Sequence, residues 1–121
     1  MKATFDTNIL IDYLEDRDEA EKVIASCSER YLSFIALIEV RTGIKTQAEE
    51  EALKILLSGF KIIFIDEAII AETINIRKTL RLKVPDAIIY ATAKVNNCPL
   101  ITRNTKDFGT GADDIIVPYN W

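Results

Sequence analysis

Asp6, Glu39 and Asp86 are acids set in stretches that are otherwise apolar. Asp6 stands at the seam of M-K-A-T-F-D-T-N-I-L, between Ala3–Phe5 and Ile9–Ile11. Glu39 lies in S-F-I-A-L-I-E-V, and Asp86 in K-V-P-D-A-I-I-Y-A-T-A. A carboxylate buried without a partner is costly and tends to neutralise. Each acid also has an ordinary reading. Asp6 fits a helix N-cap. Glu39 fits a solvent-facing residue, or a partner of Arg41 or Lys45. Asp86 fits an acid favoured by the dipole of a helix N-terminus. Taken together, acids at separate seams in a chain with no histidine favour one shared oxyanion pocket. The same absence removes Ser-His-Asp and Cys-His triads and histidine metal ligands. Carboxylate oxygens without histidine or cysteine select hard ions such as Mg²⁺ or Mn²⁺ over Zn²⁺.

The elements that would position these acids follow from short apolar runs alternating with helical stretches. Lys2–Phe5 reads as a first strand, then a helix from Asn8 to about Glu15 with Ile9, Leu10, Tyr13 and Leu14 on one stripe. A helix over about Glu19–Glu29, a strand over Tyr31–Phe34, and helices over Ile35–Lys45 and Ala48–Leu57 come next. Lys61–Ile65 is a strand and Glu67–Leu80 a long amphipathic helix. Pro85 opens a helix to about Asn96, hydrophobic on nearly every face and therefore central. Pro99–Thr102 is a strand, Asn104–Phe108 a helical turn and Ile115–Val117 a last strand. Strands that are apolar throughout, rather than alternating, mark a parallel sheet covered on both faces. The expected fold is α/β: a three-layer α/β/α domain spanning residues 1–121 with a central, mainly parallel sheet. Ligands collect at the carboxyl ends of such strands. Asp6, and Thr102, Asn104 and Asp107 after the penultimate strand, would meet at that edge.

The 121 residues are 49% hydrophobic, enough for a core without a disulfide or structural metal. Cys27 and Cys98 lie far apart and no apolar signal core precedes Asp6, which points to a reducing, cytoplasmic setting. No apolar run approaches a membrane span. The net charge of −4 argues against a nonspecific nucleic-acid coat, but permits acids in one pocket with bases around it. The densest basic run, R-K-T-L-R-L-K over residues 77–83, leads directly to Asp86. It reads either as the solvated end of a helix or as an RNA-phosphate contact through Arg81 and Lys83, with Arg103 and Lys106 beyond the other strand. Other acid-bearing folds fit less well. A HAD-type phosphatase wants a second acid where Asn8 stands, and a receiver domain wants paired acids after the first strand. Gly109-Thr110-Gly111 reads as a loop, since G-x-G-x-x-G and Walker A patterns are missing.

Asp6-Thr7-Asn8, Ser33…Glu39, Pro85-Asp86-Ala87…Ala91-Thr92-Ala93 and Leu100-Ile101-Thr102-Arg103-Asn104…Asp107-Phe108 occur in that order. This arrangement resembles the PIN-domain ribonucleases, and among them the VapC-type toxins of prokaryotic toxin–antitoxin pairs. The resemblance runs from the first strand to Pro118-Tyr119-Asn120-Trp121. It implies an Mg²⁺- or Mn²⁺-dependent endoribonuclease leaving 5′-phosphate and 3′-hydroxyl ends. Asp6, Glu39 and Asp86 match its core metal-binding acids, Thr7 and Asn8 the residues that orient the first acid, and Thr102 a hydroxyl beside the pocket. The family often carries a fourth acid where this chain has Asn104, whose carbonyl oxygen can still complete the metal site with one charge fewer, so that a second ion would bind more weakly. Asp107 would share a helical face with Asn104 and could supply the missing charge. That substitution keeps an alternative open: a catalytically weak or inert PIN-like module that binds RNA or protein. The resemblance also implies a homodimer and a small antitoxin. The antitoxin would lay an apolar segment over Ile11, Tyr13, Leu14, Val23 and the helix of residues 49–57, with an Arg or Lys entering the acid pocket.

Overall fold

A computed structural model describes residues 1–120 of the chain; Trp121, where the resemblance ends, lies outside the described residues. Ala3, Thr4 and Phe5 are all fully buried, as a strand covered on both faces requires. They form β1 (Lys2–Phe5). The chain then builds α1 (Thr7–Leu14), α2 (Asp18–Ala25), β2 (Glu29–Ser33), α3 (Phe34–Thr42), α4 (Gln47–Leu57) and β3 (Lys61–Ile63). It ends with α5 (Glu67–Leu80), α6 (Val84–Val95), β4 (Leu100–Ile101), α7 (Thr105–Phe108) and β5 (Ile115–Ile116).

Short polar side chains start most of the helices. Asp6, Ser33, Thr46, Asp66 and Asn104 each accept a backbone N–H from the first turn. Thr46 and Glu49 complete a reciprocal capping box. Pro85 sits in the first turn of α6, where its missing N–H has no intrahelical partner to lose. α6 is buried at every position from Ala87 to Ala93, so it is a central helix. It packs against α5 and α3, while α1 packs against α2, α3 and α4.

The strands form one sheet in the order β3-β2-β1-β4-β5, and every pairing is parallel. The sheet is therefore wholly parallel and flanked by helices. From β1 the chain moves outward to β2 and β3, then returns to lay β4 and β5 on the other side. The order reverses between β1 and β4, with Phe5 opposite Ile101. That reversal leaves a crevice outside the carboxyl ends of two adjacent strands. Boundaries differ from the sequence expectation in physically clear ways. The second helix stops at Ala25, because Glu29 and Arg30 are drawn into register with Lys2 and Ala3 of β1. β3 ends at Ile63, leaving Phe64 exposed beyond the ladder. Among the described residues, no helix is long and apolar enough to cross a membrane.

Candidate active site

Asp6 is the first residue after β1, and its N–H donates to the Ile101 carbonyl of β4 at 2.9 Å. It lies at the reversal point of the sheet. It is also the N-cap of α1, so the two readings of Asp6 describe one residue. Its Oδ1 accepts the Thr7 N–H at 2.7 Å. Its Oδ2 accepts the Thr102 hydroxyl at 2.7 Å and the Asn8 amide at 3.3 Å. Donors from the start of α1 and from the residue after β4 thus fix one carboxylate. Burial pushes the Asp6 carboxyl up from 3.8 to about 6, and the Asp86 and Glu39 charges push the same way. The hydrogen bonds from Thr102 and Thr7 oppose that rise.

Glu39 comes from the exposed side of α3, not from a buried face. Its Oε1 nevertheless accepts the Thr7 hydroxyl at 2.7 Å, which ties it to the residue beside Asp6. Asp86 stands in the first turn of α6, half-buried. Its carboxyl is raised by burial, then by Asp107 and Glu39, with Lys83 opposing. Asp6, Glu39, Asp86 and Asp107 thus belong to one electrostatic neighbourhood, reached from four different elements.

Asn104 caps α7: its Oδ1 accepts the Asp107 N–H at 3.1 Å, and its Nδ2 donates to Asp107 Oδ2 at 2.9 Å. The Asn104 N–H in turn donates to Thr102 Oγ1 at 3.0 Å. Arg81 and Lys83 are exposed and flank the α5–α6 turn, Arg81 in the left-handed region at φ 58°. Arg103, a candidate RNA contact in the sequence, is committed elsewhere. From a partly exposed position, its Nε and Nη2 grip the buried Asp12 at 2.7 and 2.9 Å. No motif spacing singles out Asp12, yet the signal is there: it interrupts I-L-I-D-Y-L as Glu39 interrupts its own apolar run.

The donor set around Asp6 is entirely oxygen and amide, and both cysteines are buried away from it as free thiols. That chemistry fits a hard divalent ion. Among the described residues no three acids close into a ligand cage, so Glu39 and Asp86 stand around Asp6 without forming a finished ion site. Mg²⁺ keeps several waters and needs only one or two carboxylates, which an open set of acids can supply. A separate hollow of about 640 Å³ lies at the amino ends of β4 and β5, lined in part by Lys94, Cys98 and Asp114. Its Lys94 and Asp114 are paired at 2.8 Å, and Glu72 and Asp113 also line it.

A wholly parallel sheet carrying carboxylates at its reversal point defines the class: an α/β protein with an acidic site at the strand ends. Residues 3–110 match the family model for the PIN domain. Ribonuclease VapC1 of Methanocaldococcus jannaschii is 34% identical over 112 residues, 88% of this chain and 79% of that protein. A chain in a toxin–antitoxin complex from Klebsiella pneumoniae is 40% identical with a TM-score of 0.90, covering 99% of this chain and 100% of that one. A chain of VapBC-1 from nontypeable Haemophilus influenzae is 27% identical with a TM-score of 0.68, covering 89% and 90%. The chain belongs to the PIN-domain family.

Proposed function

We propose that this chain is an Mg²⁺- or Mn²⁺-dependent endoribonuclease and the toxin of a toxin–antitoxin pair. The observation that carries the reading is Asp6: a buried carboxylate at the sheet reversal, held from the first turn of α1 and from the residue after β4, with the Asp86 and Glu39 charges acting on it. The names of its relatives, a ribonuclease VapC and a toxin–antitoxin complex, support the activity and the antitoxin partner.

Asp6, Glu39 and Asp86 would hold the ion, with Asp107 supplying further negative charge. A divalent ion held there would supply Lewis acidity towards a phosphate oxygen and a lowered pKa for water, chemistry that no histidine is present to perform. Thr102 and the Thr7 N–H fix the two Asp6 oxygens. The Thr7 hydroxyl holds Glu39 beside the residue that follows Asp6. Asn104 orients Asp107 rather than replacing its charge. Lys83, beside Asp86, and Arg81 hold the RNA backbone through phosphate contacts.

Labelled total RNA incubated with the protein should be cut in Mn²⁺ and left whole in excess chelator. Asp6→Asn should keep the fold and abolish cutting. Cleavage by Asp6→Asn at the wild-type rate would remove Asp6 from the site. A wild type that binds RNA but cuts nothing in either ion would favour an inert binding module.

A further inference from the structure

Asp12 is more deeply buried than Asp6, 1% against 5% exposed, and the proposed chemistry does not use it. Its carboxylate takes three donors from distant parts of the chain. Arg103 supplies two, as a fork at 2.7 and 2.9 Å. The Tyr119 hydroxyl supplies the third at 2.9 Å. A buried ion pair is weak evidence for stability, since well-packed apolar residues often serve as well. Its use lies in what it holds in place.

What it holds is the segment beside Asp6. β4 is only two residues long, and the last ladder bond is that of the Thr102 N–H to the Ile116 carbonyl of β5 at 3.0 Å; the Arg103 and Asn104 N–H groups donate to side chains instead. Arg103 lies between Thr102, which donates to Asp6, and Asn104, which caps α7. The Arg103 N–H donates to Asn8 Oδ1 at 3.2 Å. The same Asn8 side chain donates to Asp6 Oδ2 at 3.3 Å and Thr102 Oγ1 at 3.4 Å. One fork therefore pins the loop to α1 six residues beyond Asp6, while the backbone of the same arginine pins it again at Asn8. Tyr119 adds the stretch after β5 to the same carboxylate.

We propose that Asp12, Arg103 and Tyr119 form a positioning clamp that sets the loop after β4, and with it Thr102 and Asn104, in register with Asp6. Its consequence for ion binding and cleavage rests on the ribonuclease reading. The fork is specific to arginine, because lysine offers a point charge without two parallel donors.

The test compares Arg103→Lys, Asp12→Asn and Tyr119→Phe with Thr46→Ala, which removes the remote α4 cap. Amide exchange over residues 102–108, Mn²⁺ affinity by electron paramagnetic resonance, and kcat and KM on a labelled RNA are measured. Arg103→Lys and Asp12→Asn should speed exchange over 102–108 about tenfold. They should weaken Mn²⁺ binding about tenfold, in the range of lost outer-shell partners, and lower kcat with little change in KM. Tyr119→Phe should move the same readouts less, and Thr46→Ala none of them. Wild-type exchange over 102–108 in Arg103→Lys overturns the clamp, as does acceleration spread evenly along the chain. If Asp12→Asn does not fold, Arg103→Lys and Tyr119→Phe decide the matter. A wild type that binds no Mn²⁺ and cuts no RNA sinks the ribonuclease reading alone, because the exchange comparison still judges the clamp.

Discussion

At the scale of single residues, Asp6 carries a conflict between stability and use. Its carboxyl is raised from 3.8 to about 6 in the folded chain. Between those values the unfolded chain has released the proton and the folded chain still holds it. Metal-free stability therefore falls as pH rises through that window and stays lower above it. Asp86, also raised, acts in the same direction. Asp6→Asn keeps one acceptor oxygen, for the Thr7 N–H, and turns its NH₂ to the Thr102 hydroxyl, which can accept instead of donate; the Asn8 bond is lost, and so is the buried charge. In chelator near pH 8, it should be more stable than wild type by about 1–3 kcal/mol, a gain that vanishes below about pH 4. Urea unfolding across that pH range measures it, and equal stabilities near pH 8 would mean that burial does not penalise this carboxylate. Asp6, Glu39 and Asp86 stand out as candidates because acids in apolar stretches are conspicuous in any sequence. The Asp12–Arg103 fork was not legible, because it joins residues far apart in the chain and no periodicity encodes it.

At the scale of elements, the α5–α6 turn holds the question of the basic run. Arg81 ends α5 in the left-handed region, a conformation that costs most residues about 1–2 kcal/mol and glycine almost nothing. Arg81→Gly should therefore leave stability unchanged or raise it by up to about 1 kcal/mol. The same change should weaken RNA binding and flatten its salt dependence by about 0.7 in slope, the loss of one single-strand phosphate contact. Lys83→Ala should flatten it similarly. A rise in melting temperature with an unchanged salt slope would make Arg81 a helix end and nothing more. Arg77 is already occupied structurally, donating to the Leu82 carbonyl at 2.6 Å. Helices were legible here because caps and apolar stripes are local signals. Strand ends were less so, since Ile63 closes β3 where its partner strand ends, not where the apolar run Lys61–Ile65 does.

At the scale of the whole molecule, the all-apolar strands foretold a parallel sheet, but not which carboxyl ends would meet. That depends on strand order, a property of the packed chain. The same packing leaves hollows along α1, α2 and α4 in which apolar side chains lie among charged ones such as Glu21 and Arg30. Ile55 of α4 is 72% exposed and borders a hollow of about 290 Å³ shared with Tyr13, Ile24 and Leu56. Tyr13 and Leu14 also line an adjoining hollow with Ala52. A small antitoxin that laid an apolar helix there would cover Ile55 at the centre of the contact, where one side chain can dominate affinity. Expression of the chain alone should arrest growth, and the small reading frame adjacent to its gene should relieve the arrest. Ile55→Glu places a charge at that hollow, remote from Asp6, so cleavage of labelled RNA should be unchanged. It should weaken antitoxin binding at least tenfold, about 1.4 kcal/mol, and growth arrest should then persist despite co-expression. If Ile55→Glu is rescued as fully as wild type, the antitoxin sits elsewhere on the chain. If wild-type expression is harmless while the soluble protein still binds Mn²⁺, the toxin role fails and a nuclease without a lethal target takes its place.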